Sequence, residues 1–319
     1  MAPFTVSVIV PVYNGSRTIR DCLEALLAQD YPQDHYEIIV VDNNSSDATP
    51  RLVSAYSRVT LLHQREVQSS YASRNQGARC ARGEILAFTD ADCQPAPDWI
   101  SQLVKPFSDP HILAVGGMVK DSPPSNLVEA FLGEVSSLGN YHQAPGQFLR
   151  PLLTANAAFR KTAFDSAGGF NENLYTGADI DLAWRLQLDH PDCVCYSTAA
   201  VVFHHHRSNL KSMFRQYRRH GFGEVFLDAM YQQHAGYPRT LRYQVRQIGK
   251  QGIALLTYLR SFLFRLVRSL WRRDRKYLAQ PLLWFVAESG NLWGKLQGLW
   301  VTRGLKVNPA LRQWQDPGG

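Results

Sequence analysis

The chain opens on a strand-length run, Val6 to Val12, apolar except for Ser7 and halted at Tyr13-Asn14-Gly15. A run without alternation, closed by a turn, predicts a strand covered on both faces, as in a parallel sheet. Apolar residues at helical spacing follow from Arg20 to Gln29. A second strand, Tyr36 to Asp42, leads straight into the polar Asn43-Asn44-Ser45-Ser46-Asp47. A helix over Ala48 to Tyr56, a short strand Val59 to His63 and a fourth strand Gly83 to Thr89 complete the first part of the pattern. Strand, helix and strand with short polar joints predict right-handed crossovers, and ligands of such sheets sit beyond the carboxyl ends of the strands. That edge collects Tyr13, Asp42, Asp90 and Asp92 in one crevice.

The fourth strand delivers Asp90-Ala91-Asp92. Two carboxylates one residue apart on a strand end are expected to point the same way and to share a hard divalent cation, with room left for phosphate oxygens. Further on, Tyr175-Thr176-Gly177-Ala178-Asp179 precedes an amphipathic helix, so Asp179 falls near a helix N-terminus, a place that also suits a cap. The strand Ala199 to Phe203 ends in His204-His205-His206, where alternation puts His204 and His206 on one side and His205 on the other. Arg74 lies in Ser73-Arg74-Asn75-Gln76-Gly77, and its guanidinium suits stacking or paired donation to phosphate.

The last third changes character. Placed at about 100° per residue with Arg260 at zero, Arg242, Arg246, Lys250, Arg265, Arg268, Arg272 and Arg275 fall between about 0° and 140°, while Leu255, Leu256, Leu259, Phe262, Leu263, Leu266, Val267 and Leu270 fall between about 200° and 340°. Ile253, Phe264 and Trp271 break the division. Arginines inside this apolar run argue against a spanning helix, at about 2.5 kcal/mol or more each at mid-membrane. A basic face, an apolar back and flanking aromatics fit a helix lying in the interface of an anionic bilayer, and Pro281 to Trp300, with Glu288, Asn291 and Lys295, reads the same way. The alternative is a helix packed on the rest of the chain with its arginines outward. No nucleic-acid reader motif or aromatic platform accompanies the basic helix, so nucleic acid is not expected as a partner.

With 319 residues, 45% of them hydrophobic, the chain can bury a large core, and much of its net charge of +7 sits in the last third. Five cysteines show neither zinc spacing nor a secreted framework, which fits a reducing cytosol. Thr5 to Val12 carries no basic leader or cleavage pattern, so no signal peptide is expected.

The segments VSVIVPVYNG, VVDNNSSDAT and ASRNQGARCARGEILAFTDADC, followed by TANAAFRKTAFDSAGGFNE, TGADIDLAWRLQ and the HHHR at 204 to 207, resemble the family 2 glycosyltransferases over about the first two thirds of the chain. The resemblance implies an α/β GT-A fold with a Rossmann-like, mostly parallel sheet. It implies a catalytic unit over 1–210, split into a nucleotide-sugar half (1–95) and an acceptor half (96–210, including Leu127 to Arg150), before a helical basic extension over 211–319. The implied reaction is metal-assisted transfer of a sugar, with inversion, from a nucleotide-diphosphate sugar to a hydroxyl of a glycan or lipid-linked acceptor, at the cytoplasmic face of the membrane. Mg²⁺ or Mn²⁺ is the implied metal.

Carried over by residue, Pro11, Tyr13 and Asn14 would line the nucleobase end, and Asp42 would accept from the base imide, which suits uracil or thymine. Arg74 would reach base or phosphates, and Asp90 the ribose or a metal water. Asp92 would bind the metal, with His204 first and His206 next completing its shell. Asn156 would floor the space between donor and acceptor. Asp179 would be the general base. The family has Glu-Asp where this chain has Ala178-Asp179, so the first acid is missing, and Asp181 competes for the role. Trp184 and Arg185 would line the acceptor side or anchor their helix. A nucleotidyltransferase would want a Gly-rich basic loop after the first strand, where this chain has Tyr13-Asn14-Gly15-Ser16. A nucleotide-sugar-binding adaptor without turnover is the non-enzymatic alternative.

Overall fold

The computed structural model describes residues 3–135, 148–269 and 275–303. Two βα units come first: β1 (Val6–Val12), α1 (Ile19–Leu27), β2 (Tyr36–Asp42) and α2 (Thr49–Val53). They are followed by β3 (Val59–His63), α3 (Ser70–Cys80), β4 (Ile85–Thr89), β5 (Cys93–Pro95) and α4 (Trp99–Val104). Next come β6 (Ala114–Asp121), α5 (Leu127–Val135), β7 (Asn156–Arg160), α6 (Lys161–Ser166), α7 (Ala178–Asp189) and β8 (Val194–His204). All strands join one sheet in the order β3-β2-β1-β4-β7-β6-β8-β5. β1, β2, β3 and β4 run parallel, whereas β7 is antiparallel to both β4 and β6.

The lack of alternation in the first strands has a direct cause: both faces are covered. Val8, Val10, Ile38 and Val40 meet α1 on one side, and Ile9, Ile39, Leu86 and Phe88 meet Tyr71 and Ala78 of α3 on the other. Helix α3 reaches the sheet because Gly77 lacks a Cβ, which would stand 2.6 Å from Ile9 Cγ2. Pro11 fits inside a strand because the pairing of β1 with β4 stops at Ile9–Phe88, so no β4 partner calls for its missing N–H.

The strands expected over Tyr36 to Asp42 and Val59 to His63 form with those bounds, while α2 is shorter than the helix expected over Ala48 to Tyr56. The Asp-x-Asp differs in kind. Asp90 and Asp92 sit in a turn between β4 and β5, closed by Cys93 N donating to Asp90 O at 3.0 Å, so strand alternation does not set their directions.

Three helices follow the sheet: α8 (Leu210–Tyr231), α9 (Leu241–Ser269) and α10 (Arg275–Arg303). α10 lies along α8 through Gly290, Gly294 and Gly298, spaced one turn apart, and a Cβ on Gly290 would stand 2.5 Å from Phe214 O. α9 touches α10 along a strip. Gln251 Nε2 donates to Glu288 Oε2 at 3.0 Å and to Asn291 Oδ1 at 2.7 Å, and the Tyr258 and Trp284 rings stack at 5.9 Å. Gln244, Gln251 and Tyr258 recur every seventh residue on the boundary between the arginine and leucine faces. Neither face is therefore turned wholly inward, and Ile253 and Leu256 are 69% and 70% exposed. Among the described residues no helix is long and apolar enough to cross a membrane. Leu270, Trp271 and Arg272 of the expected basic helix, and residues 136–147 of the expected acceptor segment, lie outside the described residues.

Candidate active site

At the carboxyl end of β2, Asp42 is buried and accepts from Ser45 N at 3.2 Å, while His63 Nδ1 at the end of β3 stands 3.4 Å away. These two line a cavity of about 350 Å³ with Asn44, Ser45, Pro50 and Arg65. Asn14 takes a left-handed φ of 48°, which Asn tolerates better than most residues, and this turns its side chain onto the neighbouring loop. Its Oδ1 accepts from Ser46 N at 2.8 Å, and its own N–H donates to Ser45 Oγ at 2.8 Å. Asn14 thus shapes the cavity wall through the loop. Tyr13, one residue past β1, is 53% exposed.

Asp47 locks the same two loops: it accepts from Ser16 N at 3.1 Å, Thr49 N at 3.0 Å and Thr49 Oγ1 at 2.5 Å. Burial opposes its charge, but these donors outweigh it and hold the carboxyl at about 2. His63, Arg65 and Asp47 were not singled out in the sequence. The signal available was their placement just past β2 and β3, at the edge where ligands sit.

The two carboxylates of the Asp-x-Asp turn to different partners. Asp90 forms an ion pair with the buried Arg74, whose Nε has no protein partner. Asp92 lies 3.2 Å from Arg207 Nη1 and 3.7 Å from His204 Nε2. Burial disfavours the Asp92 charge, yet the Arg207 guanidinium, joined by His204 when that ring is protonated, overcomes this and holds it below the usual carboxylate range. Burial also pushes the His204 imidazole down against the pull of Asp92, which favours the neutral form with a free nitrogen lone pair. Asp92 and His204 fit a cation of the Mn²⁺ or Mg²⁺ kind, since a carboxylate oxygen faces an imidazole nitrogen across a gap no hydrogen bond fills. Among the described residues no group of three or more His, Cys, Asp or Glu side chains converges on one point.

His206 differs from the expected metal role. Its ring lies 4.9 Å from that of His204, as same-side placement requires, but its Nε2 is engaged by Asp121 at 2.7 Å. Asn156 is also committed elsewhere. Its Oδ1 accepts from Trp99 Nε1 at 2.8 Å, and its Nδ2 donates to Met118 O and Ala200 O, both at 2.9 Å. The amide is spent tying α4, β6 and β8 together and presents no free group to a donor.

Asp179 is the second residue of α7, where Gly177 occupies the cap position in the left-handed region that an L side chain would resist. The Asp179 carboxylate is buried and held from both halves of the sheet. Tyr71 Oη donates to Oδ1 at 3.0 Å, and Thr154 N donates to Oδ2 at 3.0 Å. Asp181, the competing acid, accepts from Arg185 Nε at 3.0 Å and Tyr231 Oη at 2.8 Å and is 1% exposed. Arg185 also donates to Gly169 O at 2.7 Å, and Trp184 packs on Phe148 and Tyr231, so both anchor α7. One face of α8 covers this loop in register: Arg219 lies 4.8 Å over the Tyr175 ring, Gly223 abuts Thr176, and Leu227 meets Gly177.

Family models described as glycosyl transferase family 2 and glycosyl transferase family group 2 match residues 7–165 and 90–296. Among curated proteins, the chain is 36% identical over 183 residues to glycosyltransferase AglE of Haloferax volcanii, covering 56% of this chain and 59% of that one. It is 28% identical over 214 residues to a pre-mycofactocin glycosyltransferase of Mycobacterium tuberculosis, covering 65% of this chain and 44% of that one. Both matches thus span less than two thirds of the relative's length. A longer match, 22% identical over 92% of this chain and 97% of the other, is a dolichyl N-acetyl-alpha-D-glucosaminyl phosphate 3-beta-D-2,3-diacetamido-2,3-dideoxy-beta-D-glucuronosyltransferase of Methanococcus voltae. Among solved structures, mannosyltransferase PcManGT from Pyrobaculum calidifontis in complex with GDP-Man and Mn²⁺ superimposes with a TM-score of 0.58 at 23% identity, over 92% of this chain and 88% of that one. The mixed, mostly parallel sheet with its flanking helices is the GT-A fold. By its motifs, its fold and a family model spanning residues 90–296, the chain belongs to glycosyltransferase family 2.

Proposed function

We propose that the chain transfers a sugar from a nucleotide-diphosphate sugar to a hydroxyl of a glycan or lipid-linked acceptor, with inversion. The carrying observation is the unbroken series of contacts Asp90–Arg74–Tyr71–Asp179, which joins the donor edge of the sheet to the buried acid of α7. Asp42, at the cavity wall, accepts from a base N–H, which favours uracil or thymine. Arg74, paired with Asp90 at this edge, is read as the contact to the donor's ribose or phosphates.

Asp92 and His204 would hold a divalent cation, which when bound neutralises charge on the departing diphosphate. Asp179 accepts the proton of the attacking hydroxyl as the new glycosidic C–O bond forms and the bond from the anomeric carbon to phosphate oxygen breaks. Fixed by Tyr71 and Thr154, its carboxylate need not reorganise during the step. Asp181 is instead ion-paired with Arg185, accepts from Tyr231 and is 1% exposed against 8% for Asp179.

Helices α9 and α10 are read as a seat on an anionic membrane surface, which suits a lipid-linked acceptor. The support is an exposed apolar strip, with Ile253, Leu256, Leu259 and Leu263, beside basic side chains. The Methanococcus voltae relative is named for a dolichyl phosphate-linked sugar, in keeping with this class.

The test is release of nucleotide from a panel of UDP-, GDP- and dTDP-sugars with Mn²⁺, Mg²⁺ or EDTA, in the presence of lipid-linked acceptors. Metal-dependent release from one donor, lost in Asp179→Asn with donor binding retained, is expected. Binding without release under every condition would instead support a nucleotide-sugar-binding adaptor.

A further inference from the structure

Tyr71 is buried on α3, one helical turn before Arg74, so both side chains leave the same face of the helix. The Arg74 guanidinium lies 5.4 Å from the Tyr71 ring centroid and pairs with Asp90. The phenol oxygen looks the other way: it donates to Asp179 Oδ1 at 3.0 Å and accepts from Gly177 N at 3.0 Å. It therefore fixes both the carboxylate and the left-handed glycine that caps α7. Burial and the adjacent Asp179 push the phenol well above its ordinary range, so it stays protonated and its hydrogen remains committed to the carboxylate. Phe170 packs on the ring at 5.6 Å.

We propose that Tyr71 is a positioning residue for the transfer reaction: it aims Asp179 and couples that aim to the donor-side pair Arg74–Asp90. The inference rests on Asp179 being the general base. Asp179 Oδ2 is fixed by Thr154 from the acceptor half, and Oδ1 also accepts from Ile180 N at 3.1 Å, so loss of the phenol cuts the tie of Oδ1 to α3 and leaves that oxygen to a main-chain donor of its own helix. A base that must find its orientation in each cycle lowers the rate of the transfer step without weakening the donor. Nothing in the local sequence marks this role, because Tyr71 and Asp179 are 108 positions apart.

The test is a double-mutant cycle on the full chain. Tyr71→Phe keeps the ring against Phe170 and under Arg74 and removes only the hydroxyl. Expected is a fall in kcat of about ten- to a hundredfold, the rate equivalent of one hydrogen bond to a charged group, with donor KM and calorimetric donor affinity unchanged. In an Asp179→Asn background the same change should have no further effect on residual turnover, since the group it aims is already gone. Wild-type kcat in Tyr71→Phe would overturn the inference. So would an equal loss in both backgrounds, which marks a general structural defect. Wild-type turnover in Asp179→Asn alone would instead remove the assignment of the base, a distinct failure. Should Tyr71→Phe fail to fold, 4-fluorophenylalanine at position 71 fills the space of the phenol without a hydrogen to donate to Asp179, and an unchanged kcat there would overturn the inference.

Discussion

Arg207 Nη1 stands 3.2 Å from Asp92 Oδ2, so a cation arriving at Asp92 meets a carboxylate that already has a positive neighbour. Arg207 is half exposed, and an ion pair of that kind contributes up to about 1 kcal/mol. Arg207→Gln should therefore tighten Mn²⁺ binding to the free enzyme by up to about fivefold, read by electron paramagnetic resonance titration. Asp92→Asn should abolish that binding and cut metal-dependent nucleotide release by about a hundredfold or more. Weaker Mn²⁺ binding in Arg207→Gln would mean that the arginine supports the cation instead of competing with it.

Asp47 links acid stability to the donor pocket. Its folded carboxyl sits at about 2 against an ordinary value of 3.8, so the folded state binds fewer protons than the unfolded state between these values. Its stabilisation is therefore fully present above about pH 4 and lost as the pH falls toward about 2. Asp47→Asn should lower Tm at neutral pH, by about 1–3 kcal/mol in stability, and the gap from the wild type should close with acidification. Thermal melts across that range decide it, and a gap constant with pH would place the effect elsewhere. The variant should also weaken donor binding, because Asp47 ties the loop at Ser16 to the loop at Thr49 beside the cavity.

The sheet was legible because burial leaves a linear trace. Tyr36 to Asp42 is a buried, mostly apolar run cut off by polar residues, while Val59 to His63, part-buried at the edge of the sheet, shows only in its Val and Leu residues. The acids at the strand ends were legible for the same reason. What the sequence hid are partnerships fixed by tertiary geometry. The spacing of Asp90 and Asp92 implied a shared direction, but the turn that contains them sends one to Arg74 and the other to Arg207 and His204. Asn156 and Asp181 look like site residues by motif, yet hydrogen bonds to Trp99 and Tyr231, from distant parts of the chain, absorb them into the core. The face of α9 turned inward was hidden too, since it is a polar seam with Gln244, Gln251 and Tyr258 that hydropathy does not mark.

Asp181 and Asp179 should separate cleanly by experiment. Asp181→Asn breaks a buried pair with Arg185 and weakens the acceptor of Tyr231 Oη. Removing one partner of such a pair costs about 3–5 kcal/mol. The expected result is a large drop in Tm, with the protein that remains folded still turning over. Asp179→Asn should do the reverse, with turnover lost and the fold kept. Full activity in Asp179→Asn together with inactivity in a stable Asp181→Asn would transfer the base assignment to Asp181.

The exposed strip of α9 makes its own prediction. Ile253 and Leu256 are 69% and 70% exposed, so an acidic residue at either position costs the isolated fold little. On an anionic bilayer the same change removes apolar area and adds like-charge repulsion, each of which weakens binding. Ile253→Asp with Leu256→Asp should therefore leave Tm within about a degree while releasing the protein from phosphatidylglycerol-containing liposomes in a flotation assay. Tyr258→Ala is the informative contrast, because it strips the stack on Trp284 and should lower Tm by loosening α9 from α10. Flotation of the double aspartate variant at the wild-type level would show that this strip does not seat the protein on lipid.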